Sequence, residues 1–293
     1  MNKRLTALIL TALASLPALA DSANSRLERI RETGIMVAGY REMAVPFSYL
    51  DNGRPTGFGV ALTERVAAAV RHELQAPDVR IRWNAVTLST RIPMMATNTV
   101  DIICATDTHT RARAELVGFS TSFYITNTAM AVNSAAGLTD IGQLAGKRVA
   151  VAAGSPVESL LKKGIDGHSF VVQPALSNHQ AMQMLNSGRA DAYVNAETIV
   201  AGELIRLPSS AAYSVVRLNV HEEALACMLP KGDAAFKKLV DGVLGGMMRS
   251  GEMTALYEQW FGRPIPPFGK SLNVPLNERT RALYQAPDDQ PLE

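Results

Sequence analysis

Short apolar runs alternate with stretches of helical spacing in the first half of the chain. The runs at residues 35–39, 81–86 and 100–103 are typical of buried strands. From Leu62 onward, apolar residues recur every four positions, which predicts a helix, and the Asp-Asn-Gly turn at 51–53 predicts a hairpin before it. This alternation predicts an α/β fold with a mostly parallel sheet, whose ligands bind beyond the carboxyl ends of the strands.

The same alternation resumes after a long extended stretch at residues 119–132. A strand at 147–153 leads into Ser155 and Pro156, which are a strong helix start because serine caps a helix and proline fits its first position. Two α/β units joined by extended segments indicate two lobes with a cleft between them. We expect the tail from residue 263 to 293 to pack over the surface.

The first 20 residues have the pattern of a secretory signal peptide. A basic start at residues 2–4 precedes an apolar run at 5–16 and a small-residue cleavage site at 18–20. The apolar run is shorter than the roughly 20 residues that a membrane helix needs, and no cysteine follows it for lipid anchoring. We therefore expect cleavage after Ala20 and a mature protein that is free in an exported compartment.

Composition and charge exclude some classes of partner. The chain has 293 residues, of which 47% are hydrophobic and 19% charged, and its formal net charge is +2. This charge is too small to indicate nucleic acid or a membrane surface as a partner. The histidines are scattered, and neither a base–nucleophile pair nor a metal-ligand spacing is present, so we predict no catalytic residue, metal or cofactor.

The two cysteines, Cys104 and Cys227, both lie in apolar runs. An exported protein with only two thiols can pair them, but free buried thiols are equally normal in such surroundings. No spacing rule places their Cα atoms within bonding distance. A disulfide and two free thiols therefore remain equal alternatives.

The strand-to-helix junction at residues 100–119 is the clearest candidate for binding chemistry. Thr106, Thr108 and Thr110 follow the strand, and Arg113 lies in or near the first turn of the helix. Unpaired backbone N–H groups, hydroxyls and a guanidinium fork are together suited to bind a carboxylate. The alternative is that the threonines only cap the helix and Arg113 is solvated on its surface.

Two further arginines follow predicted strands. Arg41 comes after the first strand and Arg91 after the third, so we expect both on the same rim as Arg113. Two carboxylates can be buried only if each meets a charge partner and several hydrogen bonds, which three arginines supply. The alternative for Arg41 and Arg91 is an ordinary surface salt bridge.

Several motifs resemble the periplasmic solute-binding proteins of amino-acid ABC importers, family 3 with the type II fold, and in particular their glutamate/aspartate-binding subfamily. The motifs include TRIPMM, DIICATDTHTRARAELVGFS, LNSGRADAYV and the tail WFGRPIPP. The resemblance runs from about residue 26 to the C-terminus. It implies two α/β lobes joined by two hinge strands near residues 120–130 and 220–227. Lobe 1 would comprise residues 21–125 and 223–293, and lobe 2 residues 126–222.

The resemblance also implies roles for the rim residues. The arginine that matches Arg113 binds the α-carboxylate of the ligand, assisted by groups that match Thr106 and Thr108. The arginines that match Arg41 and Arg91 hold the side-chain carboxylate of glutamate or aspartate. All of these residues are present here.

Four positions depart from the pattern of the family. Ala196 stands where the family has an aspartate that pairs with the ligand ammonium. Leu88, Asn178 and Pro156 replace a serine, a histidine and a threonine. Ser155, beside Pro156, keeps a hydroxyl, and with Asn178 it completes the set of candidate ligand-binding residues.

The loss of the family's aspartate leaves the ligand amine in question. Glu197 and Asp107 are candidate replacements, although alternation along a strand places Glu197 on the face opposite position 196 unless the strand ends there. An ammonium sealed in a closed cleft without an anionic partner is penalised by several kcal/mol. A dicarboxylate without the α-amino group is therefore an alternative ligand.

The resemblance implies a function as the substrate-binding component of an ABC importer for acidic amino acids. Such a receptor works in the periplasm as a monomer, delivers its ligand to a permease in the inner membrane, and is not an enzyme. One enzymatic alternative stays open, because the fold also resembles that of periplasmic cyclohexadienyl dehydratases. Consumption of prephenate or arogenate by the purified protein would favour that alternative.

Overall fold

The computed structural model describes residues 25–292, and the predicted signal peptide at residues 1–20 lies outside them. The strands in the described part are β1 (Ile35–Tyr40), β2 (Met43–Ala44), β3 (Ser48–Asp51), β4 (Arg54–Thr56), β5 (Arg80–Ala85), β6 (Ile102–Ile103), β7 (Gly118–Asn133), β8 (Arg148–Ala152), β9 (Val171–Ala175), β10 (Ala192–Ala196) and β11 (Tyr213–Leu229). The α-helices there are α1 (Arg26–Thr33), α2 (Phe58–Glu73), α3 (Arg91–Ala96), α4 (Arg111–Ala114), α5 (Pro156–Lys163), α6 (Asn178–Asn186), α7 (Glu197–Ile205), α8 (Ala234–Ser250), α9 (Glu252–Tyr257) and α10 (Glu278–Gln285). Shorter helical turns are Ser134–Ala136, Ile141–Leu144, Ser210–Ala212 and the π-helix Glu258–Gly262.

One mixed sheet of eight strands runs through the molecule, in the order β5-β1-β6-β11-β7-β10-β8-β9. At one end β1 pairs in parallel with β5 and β6, and at the other β8 pairs in parallel with β9 and β10. The two central strands, β7 and β11, are antiparallel to each other, and each also pairs antiparallel with its outer neighbour. The prediction of a mostly parallel sheet therefore holds only at the two ends.

The two central strands, β7 and β11, are long enough to extend through both ends of the sheet. β7 has 16 residues and β11 has 17. Their register shifts between Leu218 and Glu222, where the ladder passes from one end of the sheet to the other. Both extended segments predicted as hinges lie within these strands, although the exact limits of the lobes stay a prediction.

The predicted turn and helix start, which depend only on residues close together in the sequence, are confirmed. Asn52 and Gly53 join β3 to β4 with positive φ angles of 48° and 75°, as the central residues of a type I′ turn require. The side chain of Ser155 accepts the amide of Glu158 at the start of α5, and Pro156 occupies the first helical position. The tail also packs on the surface as expected, but it does so through α10, a helix that the sequence pattern does not predict.

Buried apolar clusters cover both ends of the sheet and meet at α7. One cluster is built on Phe58 of α2, and another, around Tyr193 of β10, includes Val200 of α7. Ile199 of α7 belongs to the first cluster, although its helix lies in the predicted lobe 2. A Cβ added at Gly202 would lie only 2.0 Å from the carbonyl oxygen of Val45, so α7 and the β2–β3 connection are in direct contact.

A disulfide joins Cys104 to Cys227, with a Cα–Cα distance of 4.2 Å. Both residues are buried. The bond ties the segment that follows β6 to the central strand β11, and it decides between the two alternatives for the cysteines. None of the helices within residues 25–292 combines the length and the apolar character that crossing a membrane requires.

Candidate ligand-binding site

The segment between β6 and α4 is held against β11 by its backbone. The amide of His109 donates to the carbonyl of Ala224 at 2.8 Å, and the amide of Ala226 donates to the carbonyl of Asp107 at 3.1 Å. At the end of the segment, the side chain of Thr110 accepts the amide of Arg113 and caps α4. The capping interpretation is therefore correct for Thr110, whereas Thr106 and Thr108 face a cavity.

Arg91 lies beneath this segment and is almost fully buried. Its Nη1 donates to Oδ1 of Asp107 at 3.0 Å and to the carbonyl of Thr106 at 3.1 Å, and both charged side chains are at most 1% exposed. Its Nε has no partner within the described residues. Arg91 is thus not in a surface salt bridge, and the protein itself supplies a counter-charge to it, the carboxylate of Asp107.

Arg41 is buried near the same pair. Desolvation and, to a smaller extent, the positive charge of Arg91 lower the pKa of its guanidinium to about 10, although the carboxylates of Asp107 and Glu203 oppose the change. Its Nη1 is a buried donor for which residues 25–292 provide no acceptor. Such a donor is costly to bury unless an anion or another acceptor meets it.

Arg113 links the two ends of the sheet. Its Nη1 donates to the carbonyl of Thr108 at 3.1 Å, and its Nη2 donates to the carbonyl of Gly154 at 3.2 Å, in the loop between β8 and α5. Burial and, to a smaller extent, the charge of Arg91 lower its pKa to about 10, although the carboxylates of Asp107 and Glu223 oppose the change. Arg41 and Arg113 therefore both lie in the field of Arg91, and the structure brings the three predicted arginines together.

A small cavity of about 30 Å³ lies beside these arginines, between the two ends of the sheet. Of the sequence-predicted site residues, five line it: Arg91, Thr106, Thr108, Ser155 and Asn178. Arg41 and Arg113 are not among its lining residues, but Arg41 lies in the field of Arg91 and Arg113 donates to the carbonyl of Thr108, and both Arg91 and Thr108 line the cavity. The lining also includes the departure positions Leu88, Pro156 and Ala196.

Helix starts form the side of the cavity contributed by β8 to β10. Ser155 caps α5, and Asn178 is the first residue of α6. The Asn178 side chain accepts from Nδ2 of Asn195 at 3.0 Å, so it is fixed in position. Helix N-termini carry partial positive charge and suit anions. This side therefore offers dipoles and hydroxyls rather than formal charges.

Glu223 is the charged residue of the cavity that was not predicted from the sequence, and the uncharged lining residues Asn195, Ile199 and Leu225 were not predicted either. Glu223 lies on β11, lines the cavity, is 5% exposed, and accepts a hydrogen bond from Oγ1 of Thr108 at 2.6 Å. A signal was present in the sequence, because strand alternation places Glu223 on the same face as the apolar Leu225 and Cys227. A lone carboxylate on a buried face calls for a partner or a function.

The carboxylates weighed as replacements at position 196 have other partners. β10 ends at Ala196, and Glu197 opens α7, where its Oε1 pairs with Nη2 of Arg217 at 2.6 Å. Glu197 does not line the cavity. Asp107 is engaged by Arg91, as described above. In the part of the chain that the structure describes, no cluster of three His, Cys, Asp or Glu residues is placed to hold a metal ion.

Comparison with known proteins identifies the family. The model of the bacterial extracellular solute-binding proteins, family 3, matches residues 36–263. The chain belongs to this family. An L-glutamate/L-aspartate-binding protein of Pseudomonas aeruginosa is 36% identical to this family 3 protein over 99% of its chain and 97% of the relative. A glutamate/aspartate import solute-binding protein of Escherichia coli K12 is 30% identical over 100% and 99% of the two chains.

A solved structure confirms the predicted fold class of this family 3 protein. It is that of an ancestral amino-acid-binding protein, described as a precursor of cyclohexadienyl dehydratase, and it is 28% identical with a TM-score of 0.70. The match covers 80% of this chain and 99% of the other. The fold is that of the type II periplasmic binding proteins, with two α/β lobes joined by the hinge strands β7 and β11.

Proposed function

We propose that this family 3 protein is the periplasmic receptor of an ABC importer for acidic amino acids. The observation that carries the proposal is the gathering of Arg41, Arg91 and Arg113 around one small cavity between the lobes. Guanidinium groups that lie close together and are largely removed from water repel one another. Anionic ligand groups that enter the cleft would relieve this repulsion and satisfy donors such as Nη1 of Arg41.

The charges of the site match those of an acidic amino acid. The buried Glu203, which also acts on Arg41, pairs with Arg206 at 3.9 Å. The three guanidinium groups of the site then face the carboxylates of Asp107 and Glu223, which leaves one net positive charge. Glutamate and aspartate carry two carboxylates and one ammonium at neutral pH, and so one net negative charge. The sum is zero when such a ligand is enclosed, which limits the cost of removing all these groups from water.

The mechanism that we propose is a shift of population between open and closed forms. Arg91 and Thr108 belong to the predicted lobe 1, whereas Ser155 and Asn178 belong to the predicted lobe 2, and all four line the same cavity. A ligand that touches both sets is bound fully only in the closed form and therefore stabilises it. An inner-membrane permease would then recognise the closed, monomeric receptor.

The relatives support this assignment of ligand class. The proteins from P. aeruginosa and E. coli that match nearly the whole chain are named for glutamate and aspartate. A dissociation constant near the micromolar range, about −8 kcal/mol, would suit capture and later release. We assign the protein no enzymatic activity.

One observation favours a second candidate ligand, a dicarboxylate without the amine. Ala196 lines the cavity and contributes no charge there. If the carboxylates of Asp107 and Glu223 serve only the arginines, an ammonium has no partner in the cleft. The amine-free dicarboxylates then become the better ligands.

A thermal-shift screen of the purified protein tests the proposal. The panel contains L-glutamate, L-aspartate, their amides, succinate, glutarate, L-lysine and L-arginine. We expect an acidic amino acid to raise the melting temperature most, since saturation at 100 times its dissociation constant adds about 2.7 kcal/mol of stability. A preference for L-lysine or L-arginine, or no response to any anion, would contradict the proposal. Consumption of prephenate or arogenate would instead support the dehydratase alternative.

A further inference from the structure

Glu223 is a buried carboxylate whose partners are few. It is 5% exposed and lines the ligand cavity, and its one hydrogen bond within residues 25–292 comes from the hydroxyl of Thr108. No salt bridge of the described residues includes it. The guanidinium of Arg113 is near enough for the two charges to interact, but the side chains form no ion pair. A buried carboxylate with one neutral donor and no directly paired counter-charge is poorly compensated.

Thr108 connects this carboxylate to the guanidinium of Arg113. Its hydroxyl donates to Oε2 of Glu223 at 2.6 Å, while its carbonyl accepts from Nη1 of Arg113 at 3.1 Å. One residue of the chain therefore holds an anion and a cation side by side at the edge of the cavity. The α-carbon of an amino acid carries the complementary pair, an ammonium and a carboxylate two bonds apart.

We propose that Glu223 is the counter-ion of the ligand's α-ammonium, with Thr108 orienting its carboxylate and Arg113 binding the adjacent α-carboxylate. This inference rests on the proposed function and narrows its ligand to α-amino acids. Lobe 2 then needs no carboxylate in place of the family's aspartate at position 196, because the hinge strand β11 supplies the anionic partner of the ammonium. All three binding groups fall within the predicted lobe 1, so the amino-acid end would be held before the lobes close.

The test compares Glu223→Gln with wild type by isothermal titration calorimetry, using L-glutamate and its amine-free analogue glutarate. Truncating one partner of a buried charge pair weakens binding by about 2–5 kcal/mol, so we expect L-glutamate to lose about thirtyfold or more in affinity. Glutarate, which has no ammonium, is expected to keep or improve its affinity. If Glu223 binds the amine, the affinity for L-glutamate falls much more than the affinity for glutarate. If Glu223 has only a structural role, both affinities fall by the same factor.

Glu222→Gln is the matched control. Glu222 precedes Glu223 on the same strand, and its Oε2 pairs with Nε of Arg279 on the outer side at 3.1 Å. We expect this variant to bind both ligands as wild type does. In the double variant with Ala196→Asp and Glu223→Gln, a carboxylate again lines the cavity, and we expect recovery of L-glutamate binding.

The inference is overturned if Glu223→Gln weakens both ligands by the same factor, or neither. It is also overturned, without any variant, if the wild type binds glutarate as tightly as L-glutamate. That last result would leave the anion-binding part of the proposed function intact. A wild type that binds neither L-glutamate, L-aspartate nor glutarate would instead refute the proposed function itself.

Discussion

Arg91 and Asp107 form an ion pair inside the candidate site, with Nη1 and Oδ1 3.0 Å apart and both side chains almost completely buried. Asp107 also accepts the amide of Ala105 at 3.2 Å, so its position is fixed by its own loop. The pair compensates one of the three guanidinium groups before any ligand arrives. It thereby sets the charge that the remainder of the site presents to the ligand.

We expect Asp107→Asn to destabilise the ligand-free protein. Removing one partner of a buried ion pair leaves the other charge uncompensated, which costs about 3–5 kcal/mol of unfolding free energy. Urea denaturation measures the loss, and Glu252→Gln is the control because its pair with Arg65 is exposed and worth little. An Asp107→Asn protein as stable as wild type would show that Asp107 does not compensate Arg91.

Gly202 is expected to limit how closely the lobes approach. A Cβ at this position would lie 2.0 Å from the carbonyl oxygen of Val45, so Gly202→Ala should cost the closed form about 1–3 kcal/mol through overpacking. The affinity for the best ligand should fall accordingly, as calorimetry would measure. Gly246→Ala is the matched control, since its Cβ would meet no atom within 4 Å. If the two variants bind the ligand with equal affinity, the contact between Gly202 of α7 and Val45 does not form part of lobe closure.

The disulfide between Cys104 and Cys227 should contribute strongly to stability. It spans 123 residues, and a loop of that length corresponds to about 5 kcal/mol in the chain-entropy model. We expect a reductant to lower the urea midpoint of the wild type, but not that of the variant in which both cysteines are serine. Detection of free thiols in the unfolded, unreduced protein would contradict the bond.

His109 should make the protein less stable at acid pH. Its ring is buried, stacks on Phe119 with centroids 4.4 Å apart, and burial lowers its pKa below the usual 6.5. Just below pH 6.5 the unfolded chain therefore binds more protons than the folded protein, so the unfolding free energy falls as the pH falls through that range. His109→Phe should flatten the dependence of the melting temperature on pH between about 7 and 5. If the melting temperature of His109→Phe falls with pH as steeply as that of the wild type, His109 is not the cause of the acid sensitivity.

Features with local causes could be predicted from the sequence, and α7 shows why others could not. The apolar face of α2 and the cap at Ser155 depend on residues a few positions apart. By contrast, seven of the nine residues of α7 are buried, including Thr198 and Glu203, because the helix packs against both lobes. A helix without a polar face has no amphipathic period to detect.

The residues of the site likewise differ in how far apart in the sequence their partners lie. Arg113 and the threonines before it lie within one short segment, so their association was visible in the sequence. The contact between Thr108 and Glu223 joins residues 115 positions apart, and only the pairing of β11 with its neighbours brings them together. The compensation of Arg91 by Asp107 likewise depends on how α3 packs beneath the loop. Charge balance in the cleft is thus a property of the tertiary structure.

The role of the arginine cluster in binding is tested by titrating whichever of L-glutamate and L-aspartate binds more tightly into wild type and Arg113→Gln in a calorimeter. We expect the wild type to bind one ligand per protein near the micromolar range, and the variant to bind about thirtyfold or more weakly, because a buried charged contact is removed. Arg65→Gln, which alters an exposed arginine, should bind like wild type. An Arg113→Gln protein that binds with the wild-type dissociation constant would contradict the role of the arginine cluster.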